Sequence, residues 1–268
     1  MWFIKFIVGL AGVYAIIVVA AYFLQAKLIF PSGLVGQAAG LPANSTDIEL
    51  QTPDGETVVM TRIPPRADTP GQHPVLLGFG GNAWSGGAVA LLLHRVFPDH
   101  EVLAVNYRGY GPSSGSPSAK ALFDDAILAY DHVAAQSDAG LVAVGFSIGA
   151  SVAVDLASNR QLNGLVLVTP FDSMEELAAG HYPFLPVRSL LRHHMDTAAT
   201  LRDLDLPVAI MTAGRDTVVP AARSAPVRKA AADLRSDIAI EDAGHNDIYA
   251  RAEFPDLLRQ SVAAVKGD

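Results

Sequence analysis

The feature that most constrains the fold is a serine between two glycines, at the point where one apolar run ends and another begins. Residues 141–157 read LVAVGFSIGASVAVDLA, with Ser147 between Gly145 and Gly149. A β-rich run followed by small residues predicts a strand, a sharp turn and a helix. Such a turn strains the serine backbone and leaves little room beside it, which explains the glycines. The pattern predicts a nucleophile with an accessible hydroxyl; the alternative is a serine in an ordinary strand-to-helix turn.

Short apolar runs alternate with helical patterns over most of the chain. Strands are predicted at 75–79, 101–105, 141–146, 165–169, 208–212 and 238–240, with helices at 84–97, 119–135, after the serine and at roughly 248–265. Continuous apolar strands alternating with helices indicate a parallel sheet that is covered on both faces. Adding a hairpin at 47–50 and 56–63, we expect a mostly parallel, doubly wound α/β domain. Ligands of such sheets bind beyond the carboxyl ends of the strands.

Two polar residues follow later strands at that edge of the predicted sheet. Asp216 comes after one strand in Gly-Arg-Asp, and His245 follows the last strand in Ala-Gly-His-Asn-Asp. An imidazole can take the serine proton near neutral pH if a carboxylate orients it. We therefore predict a catalytic triad of Ser147, His245 and Asp216, in the chain order that is typical of α/β hydrolases. Asp172, which also follows a strand, is a rival acid, and a solvent loop residue is the alternative for His245.

A glycine-rich stretch, GFGGNA at 78–83, lies between a predicted strand and a predicted helix. Acyl transfer needs backbone donors for the oxyanion, and we predict that these are the N–H groups of Ile148, at the start of the serine's helix, and of Asn82. The same stretch matches the dinucleotide-binding pattern G-x-G-x-x-A. However, no acidic residue follows the next strand to bind a ribose. We therefore expect no cofactor.

The N-terminal part of the chain is apolar enough to lie in a membrane. Residues 6–26 carry no charge over 21 positions, enough at 1.5 Å rise per residue to cross a hydrocarbon core of about 30 Å. We predict a single-pass anchor at 1–28, a connector at 29–46 and a catalytic domain at 47–268 on the extracytoplasmic side. A cleaved signal peptide is the alternative, although the apolar run is longer than the usual signal core.

Composition argues against several other classes of function. The net charge is −8 and no basic run stands out, so nucleic acid is not an expected partner. A chain without cysteine has no disulfide framework, no thiolate nucleophile and no cysteine-based zinc site. His193, His194 and Asp196 are close together, but adjacent histidines in a predicted helix point about 100° apart and lack a clear third ligand. We therefore expect no metal site.

These motifs together resemble the membrane-anchored α/β-hydrolase-domain branch of the serine hydrolases, from the anchor as far as Tyr249. Besides the triad, the resemblance rests on QAKLIFP at 25–31, NYRGYGPS at 106–113 and PFDS at 170–173. It implies an α/β-hydrolase fold and a serine esterase activity. The chain departs from the branch at one place, because GGN at 80–82 stands where the branch usually has His-Gly-Asn. Any orienting role of that histidine is lost here.

The predicted chemistry is acyl transfer to water through an acyl-enzyme. We expect a carboxylic ester or thioester as the substrate, and the anchor favours a lipid-like molecule or an acylated protein at the membrane. Residues 173–205 lie between strands, and we predict that they form a small cap that selects substrates. An amidase or peptidase would use the same triad, and a non-catalytic binding protein of the same fold is the other alternative.

Overall fold

Helices and strands alternate along the computed structural model, which describes residues 1–66, 73–137 and 139–266. The helices are α1 Trp2–Ile29, α2 Gly86–Val96, α3 Ala119–Ala134, α4 Ile148–Asn159, α5 Met174–His181, α6 Val187–Leu190, α7 Thr197–Arg202, α8 Ala221–Ala230 and α9 Phe254–Val265. The strands are β1 Thr46–Gln51, β2 Thr57–Ile63, β3 Val75–Phe79, β4 Val102–Asn106, β5 Leu141–Phe146, β6 Gly164–Val168, β7 Pro207–Ala213 and β8 Asp233–Ile240.

A mostly parallel sheet forms the centre of the molecule. Within the described ranges it has eight strands, in the order β1-β2-β4-β3-β5-β6-β7-β8. The hairpin of β1 and β2 joins β4 in antiparallel pairing, and the neighbours from β4 to β8 pair in parallel. The predicted doubly wound α/β fold is confirmed, with the antiparallel hairpin at one end of the sheet.

The two faces of the sheet bury separate apolar clusters, because successive strand residues point to opposite sides. Leu77 of β3 belongs to a cluster that includes α3, α4 and α8, whereas its neighbour Leu76 belongs to one that includes α2 and α9. Strands β3 to β6 are buried along their whole length. This burial on both faces explains why their sequences are continuously apolar.

The C-terminal third differs from the predicted elements in three places. Strand β8 begins at Asp233 rather than at 238, because it is an edge strand whose residues are largely exposed and not continuously apolar. Helix α8 was missed, since its sequence AARSAPVRKA lacks an apolar stripe. The helix predicted at 248–265 is a 3₁₀ turn at Ile248–Ala250 followed by α9, which has Pro255 in its first turn.

Helix α1 is long and apolar enough to cross a membrane by length and composition. Most of its residues are exposed, but the C-terminal end packs on the α/β domain, where Gln25 and the following Phe30 are buried. The connector contains a 3₁₀ turn at Ser32–Leu34 and leads to β1. The apolar helix of the predicted anchor therefore ends in contact with the domain rather than on a free linker.

The predicted cap region, 173–205, contains α5, α6 and α7. Helix α7 packs on α4, where the hydroxyl oxygens of Thr197 and Ser151 are 2.6 Å apart. The end of α5 meets the loop after β7, with His181 Nε2 2.7 Å from the carbonyl oxygen of Val218. The role of this region as a cap that selects substrates stays a prediction.

The helix that was predicted to carry His193 and His194, within PVRSLLRHHM at 186–195, is wrong beyond Leu190, where α6 ends. The Leu190 carbonyl and the Arg192 N–H bind the side chain of Gln25 instead of continuing the helix. His193 is buried, its ring packs edge-on against Phe30 with 5.2 Å between centroids, and burial lowers its pKa. This histidine serves packing, and the described part of the chain has no group of three His, Asp or Glu residues that could hold a metal ion.

Candidate active site

Ser147 lies at the turn between β5 and α4 in a conformation that few residues adopt. Its φ is 53° and its ψ is −115°. A Cβ at Gly145 would lie 2.3 Å from the Gly149 carbonyl oxygen, and a Cβ at Gly149 would lie 2.1 Å from the Phe79 carbonyl oxygen. Both glycines are required because strand and helix approach too closely for a side chain. The structure has the predicted strand, sharp turn and helix at this position.

The side chains of Ser147, His245 and Asp216 meet beyond the carboxyl ends of β5, β7 and β8. His245 Nε2 lies 3.1 Å from Ser147 Oγ, and His245 Nδ1 lies 2.7 Å from Asp216 Oδ2. The Asp216 side chain is 3% exposed and the His245 side chain 10% exposed. The structure therefore brings the three predicted residues into one hydrogen-bonded line, although 98 residues separate the serine from the histidine.

Backbone hydrogen bonds join the loop that carries Asp216 to the loop that carries His245. The N–H of Gly214 donates to the Ile240 carbonyl at 2.9 Å, and the N–H of Arg215 donates to the Ala243 carbonyl at 2.8 Å. A side chain at Gly214 would collide with the second loop, since a Cβ there would lie 2.4 Å from a backbone oxygen. The glycine therefore allows the two loops to hold each other in register.

The two carboxylate oxygens of Asp216 have different partners. Oδ1 accepts hydrogen bonds from the N–H groups of Val218 and Val219 at 2.9 and 2.7 Å. Oδ2 remains for the imidazole of His245. Because its own loop holds one oxygen, the carboxylate keeps a fixed orientation toward the histidine.

Asp172, the rival acid, is bound to other groups. Its Oδ2 lies 3.2 Å from Arg223 Nη1, and its Oδ1 accepts a hydrogen bond from the Ser173 N–H at 2.9 Å. Burial raises the pKa of this carboxyl. Asp216 is thus the carboxylate that contacts His245, and Asp172 joins the end of β6 to α8.

The glycine-rich loop before α2 lies beside the serine. A Cβ at Gly81 would be 3.7 Å from Ser147 Cβ, and Asn82 is the next residue along this loop. Ile148 is the first residue of α4, where N–H groups have no partner within the helix and the helix dipole favours negative charge. The assignment of the Ile148 and Asn82 N–H groups as oxyanion donors stays a prediction.

The sequence pattern described as the alpha/beta hydrolase family matches residues 70–202 of the chain. This match includes the serine elbow and the strands on either side of it. The chain belongs to the α/β-hydrolase family. The predicted family and fold are therefore both confirmed.

Several relatives of this α/β hydrolase are similar over most of the chain. An uncharacterized protein of Mycobacterium tuberculosis is 36% identical over 231 residues, which are 83% of this chain and 81% of the relative. Protein bem46 of Schizosaccharomyces pombe is 28% identical over 79% of this chain and 77% of its own length. Lysophosphatidylserine lipase ABHD12 of Rattus norvegicus is 29% identical over 70% of this chain, and the match spans 55% of that lipase. The resemblance to the α/β-hydrolase-domain branch is confirmed.

Solved structures share the fold of this α/β hydrolase at low sequence identity. An α/β hydrolase from Vibrio vulnificus has a TM-score of 0.71 and 20% identity, covering 91% of this chain and 93% of that chain. A membrane phospholipase A, described as a bacterial virulence factor, has a TM-score of 0.64 and 18% identity, covering 98% of this chain and 99% of that chain. These structures agree in fold, and the named relatives support hydrolase activity.

In this α/β hydrolase the NYRGYG stretch supports the glycine-rich loop. The Tyr107 hydroxyl donates to the Gly80 carbonyl at 2.9 Å, and the Tyr110 hydroxyl donates to the Asn82 carbonyl at 2.7 Å. Both tyrosines are buried, and burial raises the pKa of both, so their hydroxyls stay protonated. The two bonds lie on either side of the Gly81–Asn82 peptide and fix its orientation. In the sequence these tyrosines belong to a family motif, NYRGYGPS, which by itself indicates no role for their hydroxyls.

The glycine that departs from the branch pattern, Gly80, has little free space beside it. A Cβ there would lie 3.0 Å from Val89 Cγ2 and 3.1 Å from Trp84 Cβ. The Trp84 ring packs against Phe146 and Tyr249, with centroid distances of 5.4 and 4.5 Å. Apolar side chains therefore fill the space around this position, which explains why the chain has glycine there.

Proposed function

We propose that this protein is a serine hydrolase that cleaves a carboxylic ester or thioester with Ser147, His245 and Asp216. The observation that carries the proposal is the pair of contacts made by His245, 3.1 Å to the serine oxygen and 2.7 Å to the carboxylate. Both distances are within hydrogen-bond range. One imidazole nitrogen can therefore exchange a proton with the serine while the other stays bound to Asp216.

In the proposed mechanism, His245 Nε2 takes the proton of Ser147 as the serine oxygen attacks the acyl carbon. The carbonyl oxygen becomes an oxyanion, which the N–H groups of Ile148 and Asn82 stabilise. The imidazolium then gives its proton to the departing alcohol or thiol, and an acyl-enzyme remains. Water repeats the sequence, releasing the carboxylic acid and the free serine. Asp216 keeps its hydrogen bond to Nδ1 throughout and orients the imidazole.

Two observations favour a lipid-like substrate at a membrane. Helix α1 is long and apolar enough to anchor the chain in a bilayer. The rat relative is named a lysophosphatidylserine lipase, which supports testing lysophospholipids on this protein first. Such a lipid has one acyl ester and lies at the membrane interface. An anchored enzyme would meet it without taking it through water.

A fluorophosphonate probe tests the serine assignment directly. We expect the full-length protein to react covalently, because an activated serine displaces fluoride from the probe and becomes a phosphonate ester, and we expect Ser147→Ala to lose the label completely. Ser158→Ala is the matched control, since Ser158 is an exposed serine on the same helix α4. Labelling that persists in Ser147→Ala, or a wild-type protein that never reacts, would refute the proposed nucleophile.

A series of substrates tests the proposed substrate class. Full-length protein in detergent or vesicles is given lysophospholipids and water-soluble esters that differ in acyl length, with Ser147→Ala as the blank. We expect kcat/KM to rise with acyl length for the lipid series. Equal turnover of short soluble esters and long-chain lipids would contradict the lipid part of the proposal and leave the serine hydrolase part intact.

A further inference from the structure

The turn that follows α5 forms an exposed apolar tip beside α1. This tip, residues 182–185, reads Tyr-Pro-Phe-Leu and carries no charge. Tyr182 is 43% exposed and Phe184 is 60% exposed. Adjacent large apolar side chains on a surface indicate contact with another apolar phase or with a partner. The tip lies next to the helix of the proposed anchor. The apolar phase that it would contact is therefore the bilayer that this helix would cross.

Two aromatic residues delimit the part of α1 that would cross the bilayer. Trp2 and Tyr22 are about 30 Å apart along the helix axis at 1.5 Å per residue, which matches a hydrocarbon core of about 30 Å. Trp and Tyr favour the two membrane interfaces. The Arg192 guanidinium lies over the Tyr22 ring, 4.9 Å from its centroid. Tyr22 and Arg192 therefore mark the interface on the side of the α/β domain.

A hydrogen bond sets the depth of the tip relative to that interface. The hydroxyl of Tyr14 donates to the carbonyl oxygen of Phe184 at 2.9 Å. Tyr14 is about 12 Å from Tyr22 along the axis of α1, on the membrane side. The tip therefore reaches about 12 Å below the interface, which is slightly deeper than the 5–10 Å of interfacial segments and still within the leaflet on the side of the domain, because half of the hydrocarbon core is about 15 Å.

Several backbone polar groups of the tip have partners within the protein. In hydrocarbon each backbone polar group needs a partner within the protein. Pro183 and Pro186 have no N–H, and the Leu185 N–H donates to the Tyr182 carbonyl at 3.0 Å. The carbonyl of Phe184 is bound by a tyrosine of α1. On a surface in water, solvent would bind this carbonyl. Its hydrogen bond from a tyrosine of an apolar helix instead favours a position in lipid, where no water is present.

Gln25 keeps the tip and α1 in a fixed relation. Its Nε2 donates to the Leu190 carbonyl at 3.0 Å, and its Oε1 accepts from the Arg192 N–H at 2.8 Å. Gln25 is 7% exposed, so both bonds are shielded from water. The segment from Phe184 to Arg192 is therefore attached to α1 at its start by Tyr14 and at its end by Gln25.

We infer that the tip, residues 182–185, is a second membrane contact that inserts its Tyr182 and Phe184 side chains into the same leaflet as residues 14–22 of α1. The partner is the hydrocarbon of the bilayer, and the inference rests on the proposed anchoring by α1. The tip follows His181, whose ring contacts Val218, and Val218 is bound by the Asp216 carboxylate. Insertion of the tip therefore holds the rim of the active site against the lipid surface.

The cysteine-free chain allows a direct test with single cysteines. Phe184→Cys, Ile16→Cys in α1 and Asp256→Cys in α9 are each labelled with an environment-sensitive fluorophore in the full-length protein. Asp256 is exposed on a helix of the opposite sheet face and is the aqueous control. The proteins are reconstituted in phosphatidylcholine vesicles, and quenching by acyl-chain nitroxide lipid is compared with quenching by aqueous iodide. We expect the label at 184 to be quenched severalfold more by lipid than by iodide, like that at 16, and the label at 256 to show the reverse.

Other outcomes would overturn the inference. Strong iodide quenching at 184 with lipid quenching at 16 would leave the anchor in place and the tip in water. Protection at 184 from both quenchers would mean that protein, such as a second copy of the chain, covers the tip. Iodide quenching at both 184 and 16 would refute the anchor itself. None of these readouts depends on catalysis, so each is separate from a failure of the proposed hydrolase activity.

Discussion

The division of partners at Asp216 shows how single residues determine the geometry of the proposed site. One oxygen is bound by its own loop and the other by His245, so the imidazole has a fixed direction in which to meet Ser147. Asp172 follows a strand in the same way, but its oxygens bind Arg223 and a backbone N–H. In the sequence, the glycine before Asp216 and the Val-Val-Pro after it favour Asp216 over Asp172, and hydrogen-bond partners distinguish the two in the folded protein.

Asp216→Asn should lower kcat for ester hydrolysis about 10⁴-fold, because an amide no longer holds the imidazole in the useful tautomer or stabilises its charged form. Steady-state hydrolysis of a chromogenic ester measures the effect. Asp172→Asn is the matched control and should stay close to wild type in kcat. Similar losses in both variants would mean that the assignment of the acid is wrong.

Tyr110→Phe should lower kcat up to about tenfold with less effect on KM, because the lost hydroxyl releases the Asn82 carbonyl and loosens the loop that would hold the oxyanion. Tyr130→Phe is the matched control, since its hydroxyl donates to the Gln161 carbonyl on an exposed surface. If the two variants behave alike in kcat while both remain folded by circular dichroism, Tyr110 has no positioning role.

Among the elements, α4 has the most demanding environment. It begins at the strained serine, its Gly149 lies against the backbone of β3, and it packs between β5 and α7. Asp155 is a half-buried carboxyl on this helix, and burial, with Asp124 close by, raises its pKa to about 6 from the ordinary 3.8. The folded state therefore holds a proton between about pH 4 and 6 that the unfolded chain has released. Stability from this group is present below that range and is lost as pH rises through it.

Asp155→Asn should therefore raise the Tm relative to wild type at pH 7.5 and give little or no gain at pH 4, because the amide is neutral at both values. Thermal unfolding followed by circular dichroism over this range measures the difference. Asp131→Asn is the control. Because the Arg160 guanidinium lowers the pKa of Asp131, the charged carboxylate stabilises the folded state, and this variant should lower the Tm at pH 7.5 rather than raise it. A gain for Asp155→Asn that is the same at both pH values would contradict the raised pKa.

Elements with strong local signals were predictable from the sequence, and those defined by distant contacts were not. Strands β3 to β6 are buried on both faces and read as apolar runs, and the serine elbow has its two glycines. Helix α8 and the edge strand β8 are only partly buried and lack such a signal. The non-helical path through His193 depends on Gln25, a residue of α1 far away in the chain. The hydrogen bonds from the two tyrosine hydroxyls to the glycine-rich loop could not be predicted either, because they also join residues that are far apart in the chain.

The whole molecule is an α/β hydrolase whose apolar N-terminal helix ends in contact with the domain. The sequence predicted an anchor, a connector and a domain as successive parts. The structure adds the contacts between them, since Phe30 is part of the core and Gln25 binds the chain after α6. These contacts could not be predicted, because the partners are separated by more than 160 residues.

The proposed extracytoplasmic position of the domain can be tested with two single-cysteine variants. A membrane-impermeant maleimide should label Asp256→Cys in intact cells, and it should label Trp2→Cys, at the opposite membrane interface, after permeabilisation but not before. The reason is that the two residues lie on opposite sides of the proposed anchor. The reverse pattern would place the domain in the cytoplasm, and labelling of Asp256→Cys in the soluble fraction would indicate a cleaved N-terminal segment.

The hydrogen bonds of Gln25 fix the end of α1 to the α/β domain, so no flexible tether separates the two. A hydrolase on a flexible tether would search a volume above the membrane, whereas a chain anchored by α1 as proposed would keep Ser147 at a constant height over the lipid. The rate per enzyme would then depend on the number of substrate molecules per area of membrane, and not on the concentration of vesicles. Diluting vesicles of fixed composition should leave the rate per enzyme unchanged, and diluting the substrate lipid within the vesicles should lower it.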